Sequence, residues 1–291
     1  TIETPLLEST LAKVVKLVVS KKSSDMLRVQ NFYADYSGCG HWRMIWPEGL
    51  LRSKQAFNIT GGTVMLGEAS YFEGITSVRI QRQATESQKN YMSFLKGIQE
   101  KQSNPMNIIY EIDDIIFVED IPQYNKFRTA FEDPKIRQTS MEIMQMADEM
   151  TVTNQFMKDY FADKTGHKQI TVIPNLVPRF WMDRFYDKQE ISKNYESNKK
   201  KPRILYCGSG AHFDVDSRVK HQDDFYHVND VIRKTVNDFQ WVFFGGFPAP
   251  LKDLIIKGKI EFHNWEGLMR YPYKIHELKP QLIYSPLADN T

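Results

Sequence analysis

The chain has 291 residues, 41% hydrophobic and 25% charged, which is enough apolar material for packed cores and argues against a disordered protein. Its 38 basic and 36 acidic residues nearly cancel to +2, so no global polycationic field marks a nucleic-acid binder, though a local basic face stays open. Two cysteines, Cys39 and Cys207, supply neither a disulfide framework nor a metal-ligand quartet and favour a reducing, cytoplasmic setting, and no run approaches the roughly 20 apolar residues of a membrane span.

Within residues 1–25, Leu6, Leu7, Leu11, Val14, Val15 and Val18 recur at helical spacing with lysines on other faces. This predicts an N-terminal helical extension, packed on its own protein or lying on a membrane surface or partner. From 26 to 182 the pattern alternates. A strand over 27–33 runs into the turn Ser37-Gly38-Cys39-Gly40, which feeds a helix from about Arg43 to Arg52. Strands are expected at 62–66, 77–82 and 107–112, with a helix over 87–100 between the last two. A helix over 134–146, a strand over 149–152, a short helix through Phe161 and a strand over 169–173 follow, and Pro174-Asn175 ends the series. Such alternation predicts a largely parallel sheet covered on both faces.

Residues 183–202 turn polar and end in Asn198-Lys199-Lys200-Lys201-Pro202, as an interdomain linker does. Between 203 and 291, strands are expected at 203–207, 241–244, 259–262 and 281–284, separated by helices near 224–236, 250–257 and 266–277. The fold class is therefore α/β with two Rossmann-like domains. The second stops at Thr291 without a closing helix, so the natural protein is expected to continue. No internal repeat or low-complexity tract is evident.

Three places carry polar chemistry at strand ends. The Gly38-Cys39-Gly40 turn lacks the third glycine of a dinucleotide fingerprint, but its glycines permit close backbone approach and leave N–H groups near a helix start, where Arg43 can clamp an anion. A ligand-free tight turn is the other reading. Asp113 and Asp114 close an apolar strand, where ionised groups are costly unless solvated or paired. Adjacent carboxylates there serve as general base, as orienters of a sugar hydroxyl, as metal ligands or as caps. In the second half, Gly208-Ser209-Gly210 offers an N–H-rich loop for phosphate or sugar, with His212 and Asp214 as a nearby donor and acceptor. His221, His227, His263 and His276 read as structural, and the aromatic stretch 265–273 as mostly core with one ring able to stack on a base.

In order and spacing these motifs resemble the GT-B glycosyltransferases, family 4-like, of the bacterial and phage branch. The elements are Gly38-Cys39-Gly40-His41-Trp42-Arg43, Gln81-Arg82, Tyr110-Glu111-Ile112-Asp113-Asp114, Ala147-Asp148-Glu149-Met150-Thr151-Val152, Ile173-Pro174-Asn175, Gly208-Ser209-Gly210-Ala211-His212 and Pro286-Leu287-Ala288-Asp289-Asn290. The resemblance runs from about residue 29 to the last residue. It implies a hexosyl- or pentosyltransferase whose second domain binds a nucleotide sugar, a UDP-sugar first, with no obligatory cofactor or metal and with retention of configuration. The residues it implies are Asp113 and Asp114 for catalysis, Gly208, Ser209, His212 and Asp289 for the donor, and Gly38, Gly40, Arg43 and Arg82 near the diphosphate. The acceptor is left open between DNA carrying a hydroxymethylated base and a polysaccharide, protein or small molecule. The basic residue and glutamate that in this family follow the Asp-Asn segment do not occur before Thr291. A non-catalytic nucleotide- or sugar-binding module and a Rossmann-type oxidoreductase are the alternatives, the latter disfavoured by the incomplete glycine fingerprint.

Overall fold

The computed structural model describes residues 26–53, 57–179, 181, 189, 192–193, 196, 200–214 and 223–287. The expected N-terminal helix, His221, Asp289 and most of the 183–202 linker lie outside the described residues. The first lobe runs β1 (Leu27–Phe32), a helical stretch α1 (38–52), β2 (Phe57–Gly62), β3 (Ser77–Gln81), α2 (Glu86–Gln99), β4 (Asn107–Glu111), α3 (Pro134–Met146), β5 (Glu149–Val152), α4 (Gln155–Thr165) and β6 (Ile170–Val172). All its strands pair in parallel, in the order β2-β1-β3-β4-β5-β6. Parallel strands need crossovers, and the helices that make them bury Tyr91, Met92, Leu95, Ile143, Met144 and Phe161 against Val78, Ile80, Ile108, Tyr110, Met150 and Val152 of the central strands.

The helices begin where local chemistry satisfies their first N–H groups. Thr85 caps α2 in a reciprocal box with Gln88, whose side chain accepts from the Thr85 N–H at 2.9 Å. Asp133 precedes Pro134 at the start of α3, and Asn154 caps α4, which closes on Gly166 in the left-handed conformation, φ +71°. Thr85→Ala is expected to lower stability by about 1 kcal/mol without altering the urea m-value, as read from equilibrium unfolding.

The second lobe contains β7 (Arg203–Cys207), α5 (Val228–Thr235), β8 (Gln240–Gly245), α6 (Lys252–Ile256), β9 (Glu261–Asn264), α7 (Tyr271–Leu278) and β10 (Leu282–Ile283). Its parallel sheet has the order β10-β7-β8-β9. Alternate residues feed two cores: Ile204, Tyr206, Trp241 and Phe243 on one face, and Leu205, Val242 and Phe244 with Leu278 on the other. The α/β class and the two Rossmann-like sheets expected from the sequence are both present. No helix among the described residues is long and apolar enough to cross a membrane.

Two local expectations are corrected. The strand expected at 62–66 lies at Phe57–Gly62, and Val64 is 73% exposed. This is an edge strand with Ile59 as its buried side chain, so its hydrophobic signal is weaker than that of the loop after it. The helix expected from about Arg43 already starts at Gly38, with a π-helical turn over His41–Ile45. Pro47 lies at the start of the α-helical segment that follows. It has no N–H to give Arg43 and its ring crowds that carbonyl, which a widened turn relieves.

Strand order decides where a ligand can sit. In the first sheet the chain moves outward from β1 to β2, then returns to place β3 on the other side of β1. In the second it runs β7, β8, β9 and returns to β10. The crevices of such sheets open beyond the carboxyl ends of the strands flanking the reversal. They are bordered here by 33–40 and 82–85 in one lobe, and by 208–214 and 284–287 in the other.

Candidate functional site

Arg82 organises the first of these rims. It follows β3 directly and holds φ +44°, a left-handed conformation unfavourable for a side chain with a Cβ. Its guanidinium donates to Asp35 Oδ2 at 2.9 Å, to Asp114 Oδ2 at 3.0 Å and to Cys39 Sγ at 3.5 Å. The loops after β1, β3 and β4 are thereby joined by one side chain. Gln81, fully buried, adds a second tie, accepting from the Ala34 N–H at 3.1 Å and donating to the Cys39 carbonyl at 2.9 Å.

The glycine turn serves Asp35. Ser37 and Gly40 donate their backbone N–H groups to Asp35 Oδ1 at 2.7 and 3.2 Å, so a carboxylate of the chain itself occupies the anion position at the start of α1. A Cβ on Gly40 would stand 1.9 Å from the Asp35 carbonyl oxygen, so this glycine is required by the fold's own backbone. Burial acts against ionisation of Asp35, but the hydrogen bonds from Ser37 and Gly40 and the charge of Arg82 hold its carboxyl below the ordinary range.

Asp113 and Asp114 differ although they are neighbours. Asp114 is 56% exposed and paired with Arg82. Asp113 is partly buried, and its Oδ1 has no hydrogen-bond partner among the described residues. Burial first, then the charges of Asp114 and Glu111, push Asp113 up to about 6. The Cys39 thiol is pushed up as well, by burial and by the same two aspartates. Ligand atoms of Cys39, Asp113 and Asp114 lie within 4.8 Å of one another, yet Arg82 already donates to two of the three, so a guanidinium neutralises this cluster.

Arg43 is the clearest correction. Expected near the diphosphate, it is 2% exposed and points into the lobe, where Nε meets Glu111 Oε1 at 2.5 Å and Nη2 meets Oε2 at 3.2 Å. Nη1 donates to the Ile173 carbonyl and, at 3.0 Å, to Asn175 Oδ1. Arg79 reaches the same Glu111 at 2.6 Å, and Thr151 donates to it. Burial would raise the Glu111 pKa, but Arg79, Arg43 and Thr151 bring it below the usual value. Four of the motifs behind the family resemblance therefore meet in one buried ion-pair network that ties α1, β4, β5 and the end of β6 together. Glu111 was read from sequence as part of the acidic strand-end motif but was given no role of its own.

In the second lobe, the Gly208 N–H donates to the Phe244 carbonyl at 3.1 Å, and Ser209 Oγ accepts from the Ala211 N–H at 3.3 Å. Gly245, at φ +103°, brings its Cα so close to the Gly208 carbonyl that a Cβ would stand 2.7 Å from that oxygen. The half-exposed Trp265 borders the same spot, stacked on Phe244 with ring centroids 5.9 Å apart. His212 pairs with Asp224: Nδ1 lies 2.8 Å from Asp224 Oδ2, the histidine 46% exposed and the aspartate 5%. Asp214 instead donates its backbone N–H to Asp223 at 2.8 Å. Asp224 is also reached from the first lobe, by the Tyr124 hydroxyl at 3.0 Å. A second bridge is aromatic, running from Trp42 through Trp181 to Tyr271 with centroid separations of 5.3 and 6.0 Å. Thus Arg82, Asp113, Asp114 and the Gly38–Gly40 turn gather at one rim and Gly208, Ser209 and His212 at the other, while Arg43 belongs to the interior and Asp289 lies outside the described residues. The sequence reading missed Asp35 and Tyr124, which lie in polar stretches that no strand or helix period marks, and Asp224, which stood at the start of an expected helix.

No protein-family model matches the chain, and no curated protein does. Among solved structures, the S. aureus MnaA–UDP co-structure is similar at 12% identity and TM-score 0.49, covering 89% of this chain and 73% of that one. A structure described as a UDP-N-acetylglucosamine 2-epimerase from Listeria monocytogenes is similar at 11% identity and TM-score 0.48, covering 89% and 74%. A glycosyltransferase from Rickettsia africae ESF-5 is similar at 12% identity and TM-score 0.45, covering 86% and 71%.

Proposed function

We propose that the protein is a nucleotide-sugar-dependent glycosyltransferase of the GT-B kind, working between the two rims. The observation that carries this reading is the Tyr124–Asp224 hydrogen bond, which joins the segment following the Asp113-Asp114 strand end to the loop bearing His212. The second lobe then binds the donor, a UDP-sugar first, along Gly208, Ser209 and His212, and the first lobe presents an acceptor hydroxyl to Asp113. A base whose pKa is about 6 is ionised at neutral pH while still close enough to ambient pH to take a proton. As the hydroxyl oxygen bonds to the anomeric carbon, its proton passes to Asp113 and the nucleoside diphosphate leaves with the electron pair of the broken C–O bond. The 208–210 loop and His212 are the donor-side groups set to meet that departing charge, since Arg82 is already matched by Asp35 and Asp114. A single displacement assisted by such a base inverts the anomeric centre, whereas the family resemblance implies retention; acceptors such as a hydroxymethylated DNA base or a polysaccharide follow from that resemblance alone.

The test is a thermal-shift panel. UDP and UDP-sugars are expected to raise Tm in a concentration-dependent way, because a ligand that binds the folded state stabilises it by RT ln(1 + [L]/Kd), about 2.7 kcal/mol at 100 Kd. Nicotinamide dinucleotides are expected to leave Tm unchanged. Stabilisation by nicotinamides alone overturns the transferase reading. Stabilisation by UDP-sugars with no transfer to any acceptor class leaves a binding module.

A further inference from the structure

We propose that Trp265 is the surface on which the planar base of the nucleotide lies, an assignment that rests on the transferase reading for the identity of the ligand. The second lobe then holds its donor between an aromatic ring and the glycine loop 208–210. Trp265 follows β9 directly and is 51% exposed. Exposure alone is ordinary for a ring at a protein surface. What marks this one is how firmly its inner side is held. The indole stacks on the fully buried Phe244 with centroids 5.9 Å apart and planes at 21°, and it meets Tyr271 at 5.2 Å. Phe244 and Tyr271 stack on each other at 5.2 Å, and the Tyr271 side chain is hydrogen-bonded to Cys207 at the end of β7. A ring backed in this way gives up little freedom when a second ring lies on its outer side.

The backbone sets that ring beside the glycine loop. Gly245 ends β8 at φ +103°, and a Cβ there would stand 2.7 Å from the Gly208 carbonyl oxygen and 2.8 Å from Trp265 Cε3. The carbonyl and the indole edge therefore flank one point, and only a residue without a side chain lets them close on it. At Gly246 a Cβ would meet Phe213 Cζ at 2.8 Å, with the Gly210 nitrogen 3.5 Å away, so the loops after β7 and β8 lie against each other along two successive glycines. The carboxyl ends of three adjacent strands, β7, β8 and β9, thus build one surface. Neighbouring strands stand about 4.8 Å apart, which leaves between ring and loop a gap that a ribose fills, with the base on the indole and the phosphates at 208–210. Both ring partners of the indole among the described residues belong to its own lobe, and the aromatic bridge to the first lobe runs instead from Tyr271 through Trp181 to Trp42.

The test titrates the full chain and its Trp265→Phe and Trp265→Ala variants with UDP and with inorganic pyrophosphate, following heat and tryptophan emission. UDP is expected to quench the emission of wild type. Trp265→Phe keeps an aromatic face, so it is expected to bind UDP within about threefold of wild type while losing most of the quench. Trp265→Ala is expected to lower UDP affinity roughly 5- to 100-fold, the range of one stacked base, and to leave pyrophosphate affinity within about twofold. UDP binding to Trp265→Ala at wild-type strength overturns the proposal. An equal loss of UDP and pyrophosphate overturns it too, since the indole would then only shape the glycine loop. If UDP binding depends on Trp265 as described but no sugar is transferred, the transferase reading fails and the stacking role stands. If wild type transfers sugar and Trp265→Ala keeps its UDP affinity, that reading stands and the stacking role fails. A wild type that binds no UDP removes both.

Discussion

Replacing Glu111 by alanine is expected to destabilise the protein by about 3–5 kcal/mol, the cost of leaving buried cations without their counter-ion. Arg43 is 2% exposed and cannot reach water when the carboxylate is gone, and Arg79, 16% exposed, reaches it only in part. Arg79 Nε is already buried without a partner among the described residues, which makes its contact with Glu111 harder to replace. Equilibrium urea unfolding measures the loss as a lower midpoint at unchanged m-value. The pH dependence has a fixed sign. Since the native pKa of Glu111 lies below its ordinary value of 4.5, its contribution is fully present above that pH and is lost as pH falls through the native value, so wild type and Glu111→Ala converge in acid. Arg43→Leu combined with Glu111→Leu is expected to recover part of the stability, because an apolar pair of similar volume avoids the desolvation of both ions. A loss below about 1 kcal/mol for Glu111→Ala would show that the network contributes nothing beyond ordinary surface pairing.

The same network shows how far the sequence was legible. The apolar runs at 203–207 and 149–152 and the helix at 134–146 coincide with β7, β5 and α3, because central parallel strands and well-capped helices write their period and boundaries into a few adjacent residues. The edge strand β2 was displaced into a loop for the opposite reason, having one covered face. At the site, the glycines, the acidic pair and His212 were legible as chemistry at strand ends. Their partners were not, because Arg82 meets Asp35 across 47 residues, and Tyr124 meets Asp224 across 100. Such contacts are decided by strand order, and nothing in a local window encodes it. Arg43 misled for a related reason. A cation one turn into a helix reads as an anion clamp, until the sheet places a buried glutamate beneath it.

Substituting Asp113 by asparagine is expected to stabilise the protein at pH 8 while removing its transferase turnover. The sign follows from the direction of the pKa. Asp113 holds its proton to about pH 6 in the folded state against an ordinary 3.8, so between those values the native state retains a proton that the unfolded chain has released. Stability therefore falls as pH rises through that window, and above it the ionised, partly buried carboxylate carries the full penalty, on the order of 2–3 kcal/mol. Asparagine keeps the volume, removes the charge, and brings an amide N–H that can donate to the neighbouring Asp114. The variant should gain Tm at pH 8 and gain nothing at pH 4, a crossing pattern that a mere packing change would not produce. Turnover should drop by roughly 10²–10⁴, the usual worth of a positioned general base, with UDP affinity retained. Asp114→Asn gives the contrast: it loses an exposed ion pair with Arg82, worth about 0–1 kcal/mol, while relieving only the part of the Asp113 penalty that Asp114's charge causes, so any gain at pH 8 should be smaller than that of Asp113→Asn. A penalty of this kind persists in a fold when the group that bears it does work there, so a stabilised Asp113→Asn with full turnover would leave the strained carboxylate without a function and would move the base elsewhere on the rim.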